Sequence, residues 1–580
     1  MIRALRVAVV ACAVAVSACA PAARGAGAGR TITLSIVGTN DLHGGVLASN
    51  GQGGLALLAG YVANLRAARA ADQGAVLLLD GGDLFQGTLE SNLNEGAVVI
   101  ASYNALGYAA SAIGNHEFDF GPAGESQTPR APGDDPRGAL KARAREAHFP
   151  FLTANIIDES TGQPVAWPNV RPSMIVTAAG VRVGIVGLAT NVTLSATMAA
   201  NTRGLAIAPL APALAAEAQR LRAAGASVVV AVAHAGGVCR VFDDPHDLSS
   251  CAANEEIFNV ARAIPAGAVD VIVAGHRHYE IAHEVAGIAI IESRSGGRTF
   301  GRVDLTIDGA THQVLGKTVF RPHDICAFER PDGACAAQSD VSAEPAVYEG
   351  RAVIASRQID DILAPAIARA NVVKSVAFPA EVLDPLPEVS DGESALGNLL
   401  ADWMRSTVPD ADAGIANSGG VRAALPAGVL TFGRLYAVTP FDNRAGMMQL
   451  TGAQLSAMVR ANLQTHDSFL LLSGVRATAS CQGPNLVVAL RRESSGRAIG
   501  DDEMLTIAAD EFILTGGDGF LAPVMPIGDD RIHLRDTLMR DEIAARLRAS
   551  PHEWRASDLF DPGNRRVTFP GPLPVRCSSF

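Results

Sequence analysis

The stretch that decides the fold is Thr31–Gly45, TITLSIVGTNDLHGG, in which an apolar run ends at a carboxylate and an imidazole two residues apart. Apolar and polar residues alternate from Ile32 to Ile36, and this period of two predicts a β-strand. Asp41 and His43 fall on the same parity, so an extended chain would point both side chains the same way. The glycines that follow predict a loop. Taken alone, the pair is ordinary turn chemistry, so its meaning depends on the rest of the chain.

Four further apolar runs end in residues of the same kinds. They are GAVLLLDGGD, a strand predicted to end at Asp83; ASAIGNHEFDFG, with Asn115, His116, Glu117 and Asp119; SVVVAVAHAGG, with His234; and DVIVAGHRH, with His276 and His278. Ala-rich helical stretches alternate with these runs, which is the pattern of an α/β fold. In open α/β sheets the reactive crevice lies beyond the carboxyl ends of the strands. We therefore expect the five segments to deliver Asp, Asn and His to one edge.

The composition narrows the class of protein. The chain has 580 residues, 48% of them hydrophobic and 18% charged, which is enough for about two to four globular domains. Its formal net charge is −12, which argues against a broad basic surface for nucleic-acid polymers. An anionic small-molecule substrate would need a local positive centre, such as metal ions or a few arginines.

The amino terminus has the pattern of an export signal. Two arginines precede the apolar run Val7–Val16, which is too short to span a bilayer. The run ends in VSAC, which resembles the lipobox of bacterial lipoproteins and makes Cys19 the lipidated residue. We predict a lipoprotein signal peptide over 1–19, a linker over 20–30, and an exported protein, periplasmic or at the cell surface, that touches membrane only through this lipid. The alternative is simple cleavage of a secretory signal.

The cysteine count agrees with export. Of eight cysteines, Cys12 and Cys19 belong to the leader, and the remaining six are an even number suited to an oxidising compartment. Proximity in sequence pairs Cys239 with Cys251 and Cys326 with Cys335, which leaves Cys481 for Cys577. A thiolate metal site is the alternative, but no C-x-x-C is present.

The order D-x-H, G-D, G-N-H-E, H and G-H-x-H resembles the calcineurin-like metallophosphatases. The resemblance implies two divalent metal ions, with Asp83 as the bridge. One ion would take Asp41, His43 and His278, and the other would take Asn115, His234 and His276. Mixed imidazole and carboxylate ligands suit Zn, Mn, Fe or Co better than Ca or Mg.

The same resemblance assigns catalytic roles beside the metal ligands. His116 would face the phosphate and stabilise developing charge or protonate the leaving oxygen, with Asp119 orienting its ring.

The second half of the chain narrows the substrate. After a predicted helical connector, YEGRAVIASRQIDDILAPAIARA, come GESALGNLLADWMR, IANSGGVRAALPAG, VTPFDN and EFILTGGDGF. With the earlier motifs, these resemble the bacterial periplasmic and animal ecto-5′-nucleotidase family over nearly the whole chain. The resemblance assigns substrate contacts in this half: Asn417 to base or ribose, Arg422 to phosphate, Phe441 and Phe512 to the two faces of the nucleobase, and Asp518 to the ribose hydroxyls.

The expected architecture is a four-layer α/β/β/α metallophosphatase sandwich over 31–340, a helical connector over 341–372 and an α/β substrate-binding domain over 373–580. The expected activity is metal-dependent hydrolysis of nucleotides, with 5′-nucleotidase first. Alternatives of the same fold are a 2′,3′-cyclic-nucleotide phosphodiesterase, a UDP-sugar hydrolase and a thiosulfohydrolase. From another class, the chain could be a non-catalytic surface lipoprotein that binds nucleotide or metal.

One position departs from the nucleotidase pattern. The family has an arginine shortly before its LGNL helix, whereas this chain has Gly392 there, between Asp391 and Glu393. Two carboxylates beside the phosphate would repel a monophosphate more than a diester, and Arg444 is the candidate replacement. The departure predicts broader phosphoester specificity, a raised KM for AMP, and a lowered KM in Gly392→Arg.

Overall fold

The computed structural model describes residues 30–49, 51–124, 126–388, 392–465, 468–528 and 531–578. The predicted signal peptide, nearly all of the linker and Asp391 lie outside the described residues. No helix within these ranges combines the length and apolar character that crossing a bilayer requires.

The N-terminal half carries the strands β1 to β20 and the helices α1 to α8. The strands, in chain order, are Thr31–Thr39, Ala75–Asp80, Ala110–Ala112, Phe151–Leu152, Ile156–Asp158, Gln163–Pro164, Val170–Arg171, Ser173–Ala178, Val181–Ala189, Leu205–Ile207, Val228–His234, Val271–Val273, Ile281–Val285, Ile288–Glu292, Thr299–Asp308, Val314–Asp324, Phe328–Glu329, Glu344–Pro345, Val347–Tyr348 and Arg351–Ala352. The helices are Leu55–Ala71, Leu89–Asn92, Ala97–Leu106, Gly138–Glu146, Ala199–Thr202, Leu210–Ala223, Glu256–Ala263 and Arg357–Lys374.

The C-terminal half carries β21 to β31 and α9 to α14. The strands are Ala377–Val382, Ala413–Asn417, Gly428–Thr431, Arg444–Thr451, Leu470–Ser473, Val475–Gln482, Asn485–Arg492, Met504–Asp510, Ile532–Leu538, His552–Trp554 and Val567–Thr568. The helices are Ala395–Ser406, Phe432–Val438, Gly452–Leu463, Glu511–Leu514, Met539–Ala549 and Ala556–Leu559.

Two large sheets organise the N-terminal half. One has the strand order β16-β15-β1-β2-β3-β4-β7, and the other has β13-β14-β12-β11-β9-β8. In the first sheet β1 to β4 run parallel, and in the second β9, β11, β12 and β14 do so. The predicted ligand segments follow β1, β2 and β3 in one sheet and β11 and β12 in the other. The site therefore lies where two sheets end, rather than along one edge as the sequence suggested.

The alternation of side chains along β1 explains the layering. Ile36 packs into an apolar core between the two sheets, together with Val230 and Val232 of β11. Val37, which points the opposite way, packs into a second core that includes residues of α1, α3 and α8. A third core joins Ala231 of β11 to α6 and α7. Helices cover the outer face of each sheet, so the predicted four-layer α/β/β/α sandwich is confirmed.

Two local predictions need correction at the ends of the strands. The extended geometry of β1 does not reach Asp41 and His43, whose φ angles are 49° and 48°. Strand β2 ends at Asp80, three residues before Asp83, because Gly82 turns the chain with φ 96°. Asp41, His43 and Asp83 therefore converge through left-handed turns and not through strand parity.

The C-terminal half is a second α/β unit, as predicted. Its main sheet has the order β25-β22-β28-β24-β29 and packs with α9, α11 and α13 around one apolar core. The predicted connector forms α8, which begins only at Arg357 because the residues before it pair as the β19-β20 hairpin.

The cysteine pairing predicted from sequence is confirmed. The structure holds disulfides between Cys239 and Cys251, Cys326 and Cys335, and Cys481 and Cys577.

Candidate active site

Most of the predicted metal ligands have an unusual backbone conformation. Positive φ angles occur at Asp41 (49°), His43 (48°), Asp83 (59°), His276 (83°) and His278 (61°). Residues other than glycine rarely adopt this region, and each instance costs on the order of 1–3 kcal/mol. Backbone hydrogen bonds hold these turns, since the N–H of Asp41 donates to Gly82 O at 2.9 Å and that of His43 donates to Asp83 O at 3.0 Å.

One group of candidate ligand atoms is formed by Asp41, His43 and His278. His278 Nε2 lies 3.4 Å from Asp41 Oδ1 and 3.0 Å from His43 Nε2. Asp41 is fully buried, and its Oδ1 has no hydrogen-bond partner within the described residues. A buried carboxylate oxygen without a donor is costly, and a cation in this group would satisfy it.

A second group is formed by Asp83, His234 and His276. His234 Nε2 lies 3.1 Å from Asp83 Oδ2 and 3.0 Å from Asn115 Oδ1. Asp83 Oδ2 also lies 3.8 Å from His43 Nε2 in the first group. Asp83 is therefore the carboxylate that lies between the two groups.

Backbone carbonyls orient two of the imidazoles. His43 Nδ1 lies 3.0 Å from Gln86 O, and His234 Nδ1 lies 2.9 Å from Gly81 O. A ring nitrogen that donates to a carbonyl leaves the other nitrogen free to bind a metal. In both residues the free atom is Nε2, which faces the neighbouring ligands.

The electrostatics of the cluster suit cation binding. Burial lowers the pKa of His43 far below its usual value, aided by Arg422 and His278, and burial with His234 lowers the pKa of His276 to about 3. Neutral imidazoles are the form that binds metals. Burial also lowers the pKa of His234, but Asp83 and Asp41 outweigh it and raise that pKa to about 10.

His116 lies beside the ligands in a chain of hydrogen bonds. Its Nδ1 is 2.6 Å from Asp119 Oδ2, and Thr197 Oγ1 donates to Asp119 Oδ1 at 2.7 Å. Burial would lower the pKa of His116, but Asp119 and Asp83 raise it above its usual value. Thr197 was missed by the sequence analysis, because a lone threonine in a loop carries no motif.

Two residues of the C-terminal half reach the metal-ligand cluster. Arg422 Nη2 lies 3.2 Å from His43 Nε2, and its guanidinium lies 5.9 Å from the ring of Phe441. The Phe441 ring is in turn 5.8 Å from that of His116. The predicted phosphate ligand and one predicted base-stacking ring thus adjoin the predicted catalytic histidine.

A cavity of about 190 Å³ lies between the two halves. The predicted residues that line it are Asp83, Asn115, His116, Asp119, His276, His278, Asn417, Arg422, Phe441, Phe512 and Asp518. Asp41, His43 and His234 are buried behind this lining. Asn417 Nδ2 donates to Asp518 Oδ2 at 2.7 Å, which joins the two residues predicted to contact the nucleoside.

The two halves also meet through hydrogen bonds around the cavity. Gln86 Nε2 donates to Pro440 O at 3.0 Å, and Asn92 Nδ2 donates to the Tyr436 hydroxyl at 2.6 Å. Residues of both halves therefore surround the cavity.

The structure corrects the expectations around Gly392. Glu393 accepts hydrogen bonds from the backbone N–H groups of Arg566 and Val567 at 2.9 and 3.0 Å, so its charge is engaged there. Arg444 forms a two-pronged ion pair with Glu511. Neither Glu393 nor Arg444 lines the cavity, and Gly392 does not line it either within the described residues. Arg444 therefore does not replace a phosphate-binding arginine.

A polar pair in the cavity was also missed. Asn443 Nδ2 donates to Asp510 Oδ2 at 3.0 Å, and burial raises the pKa of Asp510 to about 6. Asn443 stands in the quoted VTPFDN and Asp510 directly precedes EFILTGGDGF. Their positions next to predicted substrate residues were the sequence feature that could have identified them as cavity residues.

Comparisons with known proteins agree with this geometry. Residues 375–524 match the family described as 5′-nucleotidase, C-terminal domain. The 5′-nucleotidase of Vibrio cholerae is 24% identical over 528 residues, which cover 85% of this chain and 86% of that protein. Endonuclease YhcR of Bacillus subtilis is 25% identical over 512 residues, which cover 86% of this chain but 38% of that longer relative.

The fold has a solved counterpart. The crystal structure of a 5′-nucleotidase precursor from Thermus thermophilus superposes with a TM-score of 0.71 at 24% identity, covering 93% of this chain and 99% of that chain. The chain therefore contains a 5′-nucleotidase C-terminal domain over 375–524, and its two-domain fold is that of the solved 5′-nucleotidase precursor.

Proposed function

We propose that this protein is an exported nucleotide phosphohydrolase, most simply a 5′-nucleotidase that releases a nucleoside and phosphate. The observation that carries the proposal is the contact across the cavity, where Arg422 Nη2 lies 3.2 Å from His43 Nε2. A phosphate bound by this guanidinium would lie next to the candidate metal ligands.

Two divalent ions, drawn from Zn, Mn, Fe or Co, complete the proposed site. One would be held by Asp41, His43 and His278, the other by Asn115, His234 and His276, with Asp83 shared. When bound, such a pair clamps a phosphoryl group and supplies hydroxide at neutral pH. The unpartnered Oδ1 of Asp41 and the lowered pKa values of His43 and His276 fit this assignment.

The chain's own residues supply the remaining chemistry. Arg422 binds the phosphate, since a planar guanidinium matches two phosphate oxygens at once. His116 stabilises the charge that develops on the phosphoryl oxygens or protonates the leaving oxygen. The carboxylate of Asp119 fixes the orientation of that ring and, through its bond to Thr197, is itself fixed.

The nucleoside would lie between Phe441 and Phe512, both of which line the cavity. Among the ring contacts of the described residues, none joins these two phenylalanines, so neither ring occupies the face of the other. Asn417 and Asp518 then provide an amide and a carboxylate for the base and the ribose hydroxyls.

We also propose that the chain is exported and anchored through a lipid on Cys19. The leader pattern of residues 1–19 supports this, and so do three disulfides, which persist in oxidising compartments. The proposed domains are 31–340 for the metals and 373–580 for the substrate, joined by the connector 341–372.

A second candidate activity is hydrolysis of phosphodiesters such as 2′,3′-cyclic nucleotides. Arg422 is the only arginine or lysine among the described residues that line the cavity, and the carboxylates of Asp510 and Asp518 line it as well. A singly charged diester suits one guanidinium better than a doubly charged monophosphate does. The relative named an endonuclease is consistent with this candidate.

The test is phosphate release from AMP by the purified protein, with Mn²⁺, Zn²⁺ or Co²⁺ and with chelator. Metal-dependent release would support the proposal, and a protein that binds nucleotide but hydrolyses none of AMP, UDP-glucose and 2′,3′-cyclic AMP would overturn it. A kcat/KM for 2′,3′-cyclic AMP equal to or above that for AMP would favour the second candidate.

A further inference from the structure

Glu117 belongs to the GNHE motif but is not among the candidate ligand atoms that converge in the cluster. It is 1% exposed, and its carboxylate accepts three backbone hydrogen bonds. Oε2 accepts from the N–H of Asp83 at 2.9 Å and from that of Gly114 at 2.7 Å, and Oε1 accepts from that of Leu84 at 2.6 Å. One carboxylate therefore ties the loop after β2 to the loop after β3, next to Asn115.

Glu292 does the same in the second sheet. It is the last residue of β14 and is 1% exposed. Its Oε2 accepts from the N–H of Gly237 at 2.9 Å, and its Oε1 accepts from that of Arg277 at 3.2 Å. The first of these loops follows His234, and the second contains His276 and His278.

The loop after β11 closes tightly around this carboxylate. A Cβ atom at position 236 would lie 2.5 Å from both carboxylate oxygens of Glu292 and 2.3 Å from Gly275 O. Only glycine leaves space there for the carboxylate to reach between the loops.

We propose that Glu117 and Glu292 are positioning residues that set the affinity of the metal site formed by Asn115, His234 and His276. Glu117 holds the N–H of Gly114, next to Asn115. Glu292 joins the loop that follows His234, the last residue of β11, to the loop that contains His276. The inference rests on the proposed function, because it presupposes that the cluster binds divalent metal.

The other metal site is held differently. The loop of Asp41 and His43 is fixed by Asn40, whose side chain donates to Ser293 O at 2.8 Å and accepts from Ser293 N at 2.7 Å. Glu292 reaches that site through the N–H of Arg277, the residue before His278. Glu117 also holds the N–H of Asp83, the carboxylate shared by both sites, so its loss should weaken both sites, and the Asn115, His234 and His276 site more strongly. Loss of Glu292 should act mainly on the Asn115, His234 and His276 site.

The test compares Glu117→Gln and Glu292→Gln with Glu90→Gln. A glutamine amide has one acceptor oxygen, so at least one backbone N–H loses its partner in each of the first two variants. Glu90 is a matched control, since it is 3% exposed and pairs with Lys374 rather than with a ligand loop.

The readout is calorimetric titration of the metal-free full chain with Mn²⁺ and Zn²⁺, with the melting temperature of the metal-free protein measured in parallel. We expect the more strongly affected site to weaken by roughly 10- to 100-fold in Glu117→Gln and in Glu292→Gln, while Glu90→Gln keeps both affinities. In a His234→Ala background, which removes a ligand of the affected site, Glu292→Gln should weaken the remaining site no further.

Unchanged affinities at both sites would overturn the inference, and so would an equal loss at both sites with a lowered metal-free melting temperature, which indicates a general structural role. If Glu117→Gln does not fold, Glu292→Gln is titrated for the same result. A wild-type chain that binds no divalent ion would instead refute the proposed function.

Discussion

In the N-terminal half, five predicted metal ligands hold left-handed backbone angles, whereas among the predicted substrate residues of the C-terminal half only Asp518 does so, with φ 53°. Asp41, Asp83 and His234 are at most 1% exposed, while Arg422 is half-buried beside the cavity. Strained turns persist only where surrounding contacts fix them. We therefore infer that the loops of the metal ligands are rigid and that the loops of the substrate residues are more adaptable. The N-terminal half is called the rigid half below, and the C-terminal half the adaptable half.

This difference predicts which kinetic parameter a substitution in each half should change. Changes in the rigid half should reduce metal binding and kcat, because the fold fixes the reacting groups there. Changes in the adaptable half should mainly raise KM, since they remove contacts made equally by the bound substrate and its transition state.

The largest effect is expected for Asp83→Asn. Asp83 Oδ2 lies between His234 Nε2 and His43 Nε2, at 3.1 and 3.8 Å, so its loss would weaken both metal sites. Several kcal/mol of charge stabilisation depend on bound metal, which corresponds to a fall in kcat/KM on the order of 10³-fold or more. Asp41→Asn, which touches one site, is the control, and an equal or smaller loss in Asp83→Asn would contradict the shared role.

His116→Ala should have the next largest effect and should separate catalysis from metal binding. We expect kcat to fall by roughly 10²- to 10⁴-fold, the contribution of a general acid, with metal content unchanged by elemental analysis. His43, Asp83 and His116 also form a group that could hold an ion. Loss of one equivalent of metal in this variant would make His116 a ligand.

Phe512→Ala tests the adaptable half. Stacking of a base on an aromatic ring contributes about 1–3 kcal/mol, so KM for AMP should rise roughly 5- to 150-fold while kcat changes little. Ribose 5-phosphate has no base and serves as the control substrate, with kinetics that should not change. An equal loss on both substrates would indicate that Phe512 supports the fold instead of the base.

The convergence of the candidate metal ligands in the N-terminal half could be predicted from the sequence. Each predicted metal ligand ends or follows a buried strand, and strand ends meet in space because parallel sheets bring them together. The left-handed turn at Asp83 could not be predicted, since it depends on N–H groups held by Glu117, a contact that crosses between two loops. Thr197 was missed for the same reason: its bond to Asp119 joins segments 78 residues apart.

The smallest effect is expected for Gly392→Arg, which sharpens the comparison within the C-terminal half. A Cβ at position 392 would meet no atom within 4 Å, so the arginine should be accommodated. The position does not line the cavity, however. Its neighbour Glu393 accepts hydrogen bonds from the backbone of Arg566 and Val567. We therefore expect unchanged kcat and KM for AMP, contrary to the prediction from sequence. Arg422→Lys is the positive control, and its KM should rise because an ammonium group lacks the planar fork that binds two phosphate oxygens. A tenfold lower KM in Gly392→Arg would mean that this segment reaches the phosphate during turnover, and it would place position 392 among the residues that set specificity.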